Sequence, residues 1–565
     1  MAGLDDFIHT PRIAYFSMEI ALQNEIPTYA GGLGVLAGDT IRSAADLEVP
    51  LVAVTLVSTA GYFHQALGAN GRQIESEAPW EPARWAERLG AMVAVDIAGR
   101  SVWVGGWLYI LKGHMGGEQP VIMLETDLEQ NSVDDRQITR YLYGGDNVYR
   151  LKQEIVLGTG GARMLQALGF TIHKYHMNEG RSALLGAELL RRYSYPPEDL
   201  RPGETPYDIP RVRELCCFTT HTPVEAGHDR FPYDLVKRLL GDFIELATFK
   251  RLAGEEALNM TRLALNLSDY VNGVAKRHAE VSRHMFPGYR VHEVTNGVHP
   301  FTWTGESFRR LYDAVLPGWC HEPELLRRAD CCIADEAIWE AHLQAKKALI
   351  DSVRQRTAVA LEPDRLTIGF ARRMTAYKRP DLLFSDLQRL KALAERYPIQ
   401  IVLSGKAHPR DGQGKRLIEI LHAHIAALAG TVPVAYLPDY DMNIALTLVS
   451  GVDVWLNTPL SPMEASGTSG MKAAFNGVPQ LSVLDGWWVE GCIEGVTGWA
   501  IGEDRESAAL DADALYRKLE ETVAPLYYQD RSVWIAVMKG AIAKSASYFN
   551  SHRMMRRYAS ETYVR

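Results

Sequence analysis

One stretch of the chain, Ser461–Gly491, decides how the rest is interpreted; its sequence is SPMEASGTSGMKAAFNGVPQLSVLDGWWVEG. Glu464 is followed by a run of small residues, Ser466–Gly470, which predicts a tight turn that opens a helix. Backbone N–H groups at the start of a helix lack partners within the helix, and they attract an anion, usually a phosphate. Thr468 and Lys472 are four residues apart, so they lie on one face of that helix. We predict an anion pocket here, although the small residues alone leave open a structural loop with a solvated lysine.

Strands and helices alternate on both sides of a central linker. An apolar strand, Arg12–Glu19, is followed by the glycine turn Thr28–Gly34 and a helix, and the alternation restarts with a strand at Leu366–Ala371. Such alternation predicts parallel sheets covered on both faces, with ligands at the carboxyl ends of the strands. We therefore predict an α/β fold of GT-B architecture, in which two doubly wound, Rossmann-like domains face each other across a cleft. Residues Gly61–Gly117 predict hairpins and loops, to which we assign no role.

The predicted organisation has four parts. They are an N-terminal Rossmann-like domain (residues 1–300), a helical linker (301–364), a C-terminal Rossmann-like domain (365–530) and C-terminal helices that cross back towards the first domain (531–565).

Length, charge and cysteine content exclude several classes of protein. A chain of 565 residues is longer than one ordinary domain, and its net charge of −9 argues against nucleic acid as the main partner. The first residues, MAGLDDFIHTPR, contain no basic segment followed by an apolar run, and no apolar segment is long enough to span a bilayer. We therefore expect a cytoplasmic protein without membrane contact. The six cysteines have no metal-binding spacing such as CxxC, so we expect reduced thiols and no metal site.

A basic run, Arg372–Arg379, directly follows the first strand of the second predicted domain. Its sequence, RRMTAYKR, has four cations in eight residues. Cations at the end of a parallel strand can clamp a dianion such as phosphate. Composition alone favours a solvated basic loop, so the run does not decide the matter by itself.

Two segments of the opening stretch, EASGTSGMKAAFNG and LDGWWVEG, carry a specific resemblance. They resemble the pyridoxal-phosphate segment of the α-glucan phosphorylases, the glycogen and maltodextrin phosphorylase family, in its short bacterial and archaeal form. In that family the lysine of this motif, which is Lys472 here, holds pyridoxal 5′-phosphate as a Schiff base. The resemblance thus implies a pyridoxal-phosphate cofactor whose ring is an anchor and whose phosphate relays a proton. It also implies that the first predicted domain binds glucan and the second binds the cofactor and phosphate.

The resemblance extends to further motifs, namely GGLG, TTHTPVEAG, VTNGVHP, LPDYDM and the basic run. The implied catalytic residues are Arg373, Lys378, His221 and Glu464. The implied cofactor-binding residues are Lys472, Thr468, Ser469, Arg372, Gly32 and Tyr440. The implied substrate-binding residues are Gly31, Leu33, Asn296, Tyr377, Ser466 and Gly467. In the family the backbone amides of the GGLG turn approach the phosphates and the sugar, and the carboxylate at the position of Glu464 binds sugar hydroxyls.

The implied activity is phosphorolysis of the terminal α-1,4-linked glucose of glycogen or maltodextrin, giving α-glucose 1-phosphate with retention of configuration. The implied partners are α-1,4-glucan and inorganic phosphate; a homo-oligomer is left open.

Two alternatives belong to other classes. A retaining GT-B transferase that uses a nucleotide sugar often has two glutamates eight positions apart, but here Glu464 is followed at that spacing by Lys472. A catalytically inactive carbohydrate-binding protein would be expected to lack Lys472, Arg373 or Lys378, and all three are present. We therefore favour the phosphorylase.

Overall fold

The computed structural model describes residues 3–503 and 510–564. Its fold is mixed α/β, with one large sheet formed by residues before 300 and a second, fully parallel sheet formed by residues after 365. Buried apolar side chains pack on the sheets and helices of both halves. Within the described residues, no helix is both long and apolar enough to cross a membrane.

The first half contributes the larger sheet and two small two-stranded sheets, β3–β4 and β11–β12. Its strands are β1 Arg12–Phe16, β2 Leu51–Leu56, β3 His64–Leu67, β4 Gln73–Ser76, β5 Glu87–Arg88, β6 Val93–Ile97, β7 Arg100–Lys112, β8 Glu118–Glu125, β9 Ile172–Asn178, β10 Cys216–Thr219, β11 Arg230–Pro232, β12 Ala257–Asn259, β13 Tyr270–Gly273 and β14 His292–Glu293. The large sheet has the order β14-β13-β10-β9-β1-β2-β8-β7-β5, and β6 pairs with β7. It is parallel from β14 to β8, and β7 then adds an antiparallel edge.

The helices of the first half cover this sheet. They are α1 Asp5–Ile8, α2 Gly32–Asp46, α3 Val133–Arg136, α4 Asn147–Ile155, α5 Gly161–Ala167, α6 Leu184–Arg192, α7 Ile209–Leu215, α8 Tyr233–Leu240, α9 Leu246–Ala253, α10 Met260–Asn266 and α11 Lys276–Met285. The central segment is helical, as α12 Pro300–Trp303, α13 Glu306–Val315, α14 Ala329–Cys332 and α15 Asp335–Arg356.

The second half repeats the parallel pattern. Its strands are β15 Leu366–Ala371, β16 Ile399–Ser404, β17 Val434–Leu437, β18 Val454–Asn457, β19 Gln480–Val483 and β20 Gly498–Ile501, in the order β17-β16-β15-β18-β19-β20. Its helices are α16 Leu387–Arg396, α17 Gly412–Leu428, α18 Met442–Gly451, α19 Ser469–Ala474, α20 Trp488–Gly491, α21 Asp511–Lys518, α22 Ala524–Gln529, α23 Arg531–Gly540 and α24 Ser551–Tyr558. The strands β15–β19 are buried along their whole length, as expected for a parallel sheet that is covered on both faces.

The last helix, α24, packs against the first half of the chain. Ser551 on α24 and Ser43 on α2 share a hydrogen bond of 2.6 Å between their hydroxyls. The hydroxyl of Tyr558 lies 3.1 Å from both Thr219 Oγ1 and Asn272 Nδ2, at the ends of β10 and β13. The C-terminal helices therefore contact the first sheet, while the exact domain boundaries stay a prediction.

Candidate active site

A cavity of about 670 Å³ lies where the carboxyl ends of the two sheets face each other. Residues at or after the ends of β1, β9, β10 and β15 line it. This position agrees with the rule that open parallel sheets bind ligands beyond the carboxyl ends of their strands. Every site residue predicted from the sequence lines this cavity: Gly31, Gly32, Leu33, His221, Asn296, Arg372, Arg373, Tyr377, Lys378, Tyr440, Glu464, Ser466, Gly467, Thr468, Ser469 and Lys472.

Lys472 is a buried amine at the wall of this cavity. It lies on α19, and its Nζ is 3.5 Å from the centre of the Trp303 indole ring. Burial lowers the pKa of Lys472 to about 8, although the nearby carboxylate of Asp39 acts in the opposite direction. Asp39 is held in place because its Oδ2 accepts a hydrogen bond of 2.8 Å from Trp303 Nε1. The amine is thus poised near neutrality, as a lysine that reacts with a carbonyl compound should be.

The turn before α19 presents polar groups that the protein itself leaves unused. Thr468 is the residue preceding the helix, yet its side chain makes no capping hydrogen bond. The hydroxyl of Ser466 is buried and has no hydrogen-bond partner among the described residues. Gly467 has a backbone φ of 81°, which residues other than glycine rarely adopt. The predicted turn therefore forms, and it presents hydroxyls to the cavity.

Three of the four cations in the basic run line the cavity. Arg372 Nη2 donates a hydrogen bond of 2.6 Å to Glu464 Oε2, and Lys378 Nζ binds the same oxygen. Arg372 Nη1 is buried and has no hydrogen-bond partner within the described part of the chain. Burial alone would raise the pKa of Glu464, but Arg372 and Lys378 outweigh it and lower that pKa to about 2. Both contacts use Oε2, so a role of Glu464 on sugar hydroxyls, as the resemblance implies, would fall to Oε1.

Arg373 and Arg379 differ in what they contact. The Arg373 side chain is exposed at the cavity wall and, among the described residues, forms no ion pair. Arg379 points elsewhere, because it donates hydrogen bonds to the carbonyl groups of Thr458 and Pro459 and pairs with Asp511 at 2.6 Å. Arg379 therefore fixes the loop in place. The cations that face the cavity are Arg372, Arg373 and Lys378, and two of them, Arg372 and Lys378, are paired with Glu464.

His221 is held as a neutral ring at the end of β10. Its Nε2 lies 2.7 Å from Asn178 Oδ1, and its backbone N–H donates to Glu179 Oε2 at 2.9 Å. Burial lowers the pKa of His221 to about 4, against the opposing effect of the Glu179 carboxylate. With the amide oxygen of Asn178 as acceptor, Nε2 carries the proton, and Nδ1 can accept a hydroxyl.

The structure differs from the prediction at Gly31. The N–H groups of Ala30 and Gly31 donate to Glu19 Oε2 at 2.6 and 3.1 Å, so the Gly31 amide is not available to a phosphate or a sugar. Gly32 and Leu33 begin α2, where the N–H groups have no partners within the helix. Apart from the adjoining backbone, no atom of residues 3–503 or 510–564 lies within 4 Å of the position that a Cβ would take on Gly31 or Gly32. The glycine turn therefore keeps space open beside the cavity, and the hydrogen bonds to Glu19 hold the turn in position.

Asn296 offers a buried and unpaired acceptor. Its Oδ1 has no hydrogen-bond partner among the described residues, and the residue lines the cavity. Its backbone is fixed on both sides, because its N–H donates to the carbonyl of Val274 at 3.0 Å and its carbonyl accepts from Arg553 Nη2 at 2.9 Å. An unpaired amide oxygen of this kind can receive a hydroxyl of a bound sugar.

Several cavity residues were not predicted from the sequence. Trp303 comes from the segment that we interpreted as a linker, so this segment also forms part of the cavity wall. Tyr143 OH donates to Glu19 Oε1 at 2.8 Å and accepts from Arg181 Nη1 at 2.8 Å. Because Glu19 also accepts from the glycine turn, Tyr143 connects that turn to the cation Arg181. Glu19 is a glutamate three residues beyond the buried strand β1, in an apolar stretch of sequence. An acidic residue in such a stretch was the signal that could have drawn attention to this network.

The hairpin β3–β4 links the two halves beside the cavity. Gln65 Nε2 donates to the Gly405 carbonyl at 3.0 Å. Gln73 Nε2 donates to the Ala407 carbonyl at 2.9 Å, and Gln73 Oε1 accepts from Ala407 N at 2.9 Å. This hairpin lies within the region Gly61–Gly117, to which we assigned no role from the sequence. The hairpin thus fixes the loop that follows β16. Ser404, the last residue of β16, accepts a hydrogen bond from the backbone N–H of Arg372 through its carbonyl.

Known proteins match nearly the whole chain, and the chain covers 70–86% of their lengths. A sequence profile described as carbohydrate phosphorylase matches residues 224–497. The chain is 38% identical to the maltodextrin phosphorylase of Thermococcus litoralis, over 98% of this chain and 70% of that protein. It is 37% identical to the glycogen phosphorylase of Aquifex aeolicus, over 98% of this chain and 86% of that protein. It is 36% identical to the glycogen phosphorylase of Mycobacterium tuberculosis, over 98% of this chain and 70% of that protein. The chain belongs to the carbohydrate phosphorylase family.

Proposed function

We propose that this protein is an α-glucan phosphorylase, which transfers the terminal glucose of an α-1,4-glucan to inorganic phosphate and releases α-glucose 1-phosphate. The observation that carries the proposal is the convergence, in one cavity, of a buried lysine and the cations Arg372, Arg373 and Lys378. The relatives, which are named as maltodextrin and glycogen phosphorylases, support the same activity. We also propose the GT-B architecture, which is supported by the two parallel sheets and the cavity between their carboxyl ends.

The residues of the cavity fit pyridoxal 5′-phosphate as the cofactor. Lys472 is a buried amine whose pKa is lowered towards neutrality, so it can bond to the aldehyde. The unused hydroxyls of Ser466 and Thr468 and the unpaired Arg372 Nη1 are suitable donors to a phosphate group. Arg372, Thr468, Ser469, Gly32 and Tyr440 are therefore proposed to surround the cofactor with Lys472. When bound, its phosphate group supplies an acid–base function next to the substrate phosphate.

The residues of the chain would bind and orient the two substrates. Arg373 and Lys378 hold inorganic phosphate against the anomeric carbon, where positioning and charge stabilisation lower the barrier of an oxocarbenium-like transition state. Asn296 Oδ1 and His221 Nδ1 accept hydroxyls of the terminal glucose. Tyr377, Gly31 and Leu33 are proposed to lie against the sugar, with Gly31 providing space rather than an amide.

Two side chains placed near the sugar are poor proton donors at neutral pH. Glu464 is ionised because its two cations lower its pKa to about 2. His221 is neutral because burial lowers its pKa to about 4. Neither can serve as the acid that protonates the leaving oxygen, which is consistent with a substrate phosphate in that role.

The test is an assay that separates phosphorolysis from nucleotide-sugar transfer. Purified protein is incubated with maltoheptaose and inorganic phosphate, and glucose 1-phosphate is measured with a coupled enzyme. A parallel sample contains maltoheptaose with UDP-glucose or ADP-glucose and no phosphate. We expect product in the first sample and none in the second; chain extension from the nucleotide sugar without phosphorolysis would refute the proposal.

A further inference from the structure

Three buried side chains meet at a point away from the candidate active site. Asp46 ends α2, His299 precedes α12 and His552 lies on α24. His299 Nε2 is 2.8 Å from Asp46 Oδ2, and His552 Nε2 is 3.6 Å from the same oxygen. One ligand atom from each residue lies within 4.8 Å of the other two. The cluster therefore brings two imidazole nitrogens and a carboxylate oxygen into one small volume.

His552 is the member whose environment is incomplete. Its side chain is fully buried, and neither ring nitrogen has a hydrogen-bond partner among the described residues. The other two members are supported, because Asp46 Oδ1 accepts from Met115 N at 3.0 Å and His299 Nδ1 lies 2.8 Å from Thr302 Oγ1. A buried polar group without a partner is rare, because the lost hydration is not replaced. Something in addition to the protein is expected to contact His552 Nε2.

We propose that Asp46, His299 and His552 bind a divalent transition-metal ion, for which Zn²⁺ is the best match. Imidazole nitrogens and carboxylate oxygens bind Zn²⁺ at about 2.0–2.2 Å, so ligand atoms of a tetrahedral site are about 3.3–3.5 Å apart. The separations of 2.8 and 3.6 Å from Asp46 Oδ2 bracket that range. A water molecule would complete the four ligands.

Binding would change the tautomer of His299 without any change in proton count. In the structure Thr302 N donates to His299 Nδ1 at 3.2 Å, so the ring proton is on Nε2 and is donated to Asp46. With a metal on Nε2, this proton moves to Nδ1 and is donated to Thr302 Oγ1, the nearby hydroxyl oxygen. A histidine ligand commonly has such a partner on its second nitrogen. Thr302 is thus a positioning residue for the proposed site.

The ion would join three segments that are distant in sequence. The loop before His299 is already bound to the C-terminal segment, since Val298 N donates to the Phe549 carbonyl at 3.2 Å and Ser551 N donates to the Val298 carbonyl at 2.9 Å. Gly297 touches Asn550 so closely that any Cβ there would overlap its backbone. The metal would therefore fasten α24 to α2 and to the loop that carries Asn296. A search for local motifs such as CxxC cannot find a site whose first two ligands are 253 residues apart.

The competing explanation is a metal-independent cluster in which the two imidazoles stack, with ring centres 5.7 Å apart and planes at 26°. The full-length protein is treated with a chelator, dialysed, and then given one equivalent of Zn²⁺ or Co²⁺. Bound metal is measured by mass spectrometry of the element, and Co²⁺ geometry by its visible absorption. The matched variants are His552→Asn and, as a control, His173→Asn, which alters another histidine in contact with the C-terminal segment.

We expect about one Zn²⁺ per chain, tetrahedral Co²⁺ bands, and a Tm that rises by several degrees on metal addition. His173→Asn should retain all three properties and His552→Asn should lose them. If His552→Asn does not fold, Asp46→Asn and the Co²⁺ spectrum of the unaltered protein serve the same purpose. The proposal is overturned if the unaltered protein binds less than a tenth of an equivalent and gives no tetrahedral Co²⁺ bands, or if His552→Asn binds as much as the unaltered protein.

Discussion

Lys472 combines deep burial with a nearby carboxylate, and this sets the pH at which it can react. Burial lowers its pKa to about 8, and Asp39 opposes that shift. Only the neutral amine attacks an aldehyde, so the rate at which cofactor-free protein takes up pyridoxal phosphate should rise with pH and level off above about 8. Asp39→Asn removes the opposing carboxylate, so the midpoint should move to lower pH. Rapid-mixing absorbance measures both; a midpoint at about 10.4, the pKa of an exposed lysine, would contradict the assigned environment.

Arg373 and Lys378 are expected to be needed for phosphate. Replacing either with alanine removes a charged hydrogen bond worth about 1.5–3 kcal/mol, so kcat/KM for phosphate should fall about 10- to 100-fold. Arg396→Ala, at an exposed position on α16, is the control and should be neutral. Phosphate kinetics that are unchanged in both cavity variants would remove these residues from the site.

Glu464 neutralises two of the cations that line the cavity. Glu464→Gln would free Arg372 and Lys378 from their shared carboxylate while keeping its size. Phosphate should then bind several-fold more tightly, and the KM for glucan should rise because a sugar contact is weakened. Calorimetry with phosphate and steady-state kinetics with maltoheptaose measure the two effects separately. Weaker phosphate binding by this variant would mean that Glu464 does not compete with the anion.

Sequence reasoning found the residues that stand in continuous motifs and missed those that reach the cavity from elsewhere. Lys472, Thr468 and Glu464 share one turn, so their proximity follows from local geometry. Trp303 and Tyr143 reach the cavity only through the packing of distant segments, which no local pattern specifies. The cluster of Asp46, His299 and His552 was missed for the same reason, because its members are far apart in the sequence.

At the scale of elements, the hairpin β3–β4 is expected to keep the cleft closed. Gln65 and Gln73 bind the carbonyl groups of the loop that supports Arg372. The double change Gln65→Ala and Gln73→Ala should increase hydrogen exchange at residues 404–407 and raise the phosphate KM several-fold, because neutral hydrogen bonds contribute about 0.5–1.5 kcal/mol each. Gln166→Ala, at an exposed position on α5, should do neither. Unchanged exchange in the double variant would show that the hairpin does not restrain this loop.

Strands were easier to predict than the segments between them. Leu366–Ala371 has the predicted bounds, because a continuous apolar run between turn residues identifies a strand that is buried on both faces. The other predicted strand, Arg12–Glu19, begins as predicted but ends at Phe16. The segment after Pro300 was interpreted as a linker from its lack of strands. The segment contains the helices α12–α15, and α12 also supplies Trp303 to the cavity. Helix periodicity does not reveal which residue faces a ligand.

At the scale of the whole molecule, alternation predicts the two parallel sheets, and the structure contains both. Hairpins were predicted between Gly61 and Gly117, but the sequence did not show that β7 would join the large sheet as its antiparallel edge. The helix α24 contacts the first sheet through Tyr558. These elements place motifs that are hundreds of residues apart around one cavity, and Lys472 is the residue on which its proposed chemistry depends.

The most direct test is the absorbance spectrum of the purified protein before and after reduction with borohydride, followed by mass mapping of the reduced protein. We predict a pyridoxal chromophore that borohydride alters, with one pyridoxyl group on the peptide that contains Lys472. Lys472→Ala should be colourless and should carry no such group. A purified wild-type protein without the chromophore, or with the pyridoxyl group on another lysine, would contradict the assignment of this cavity.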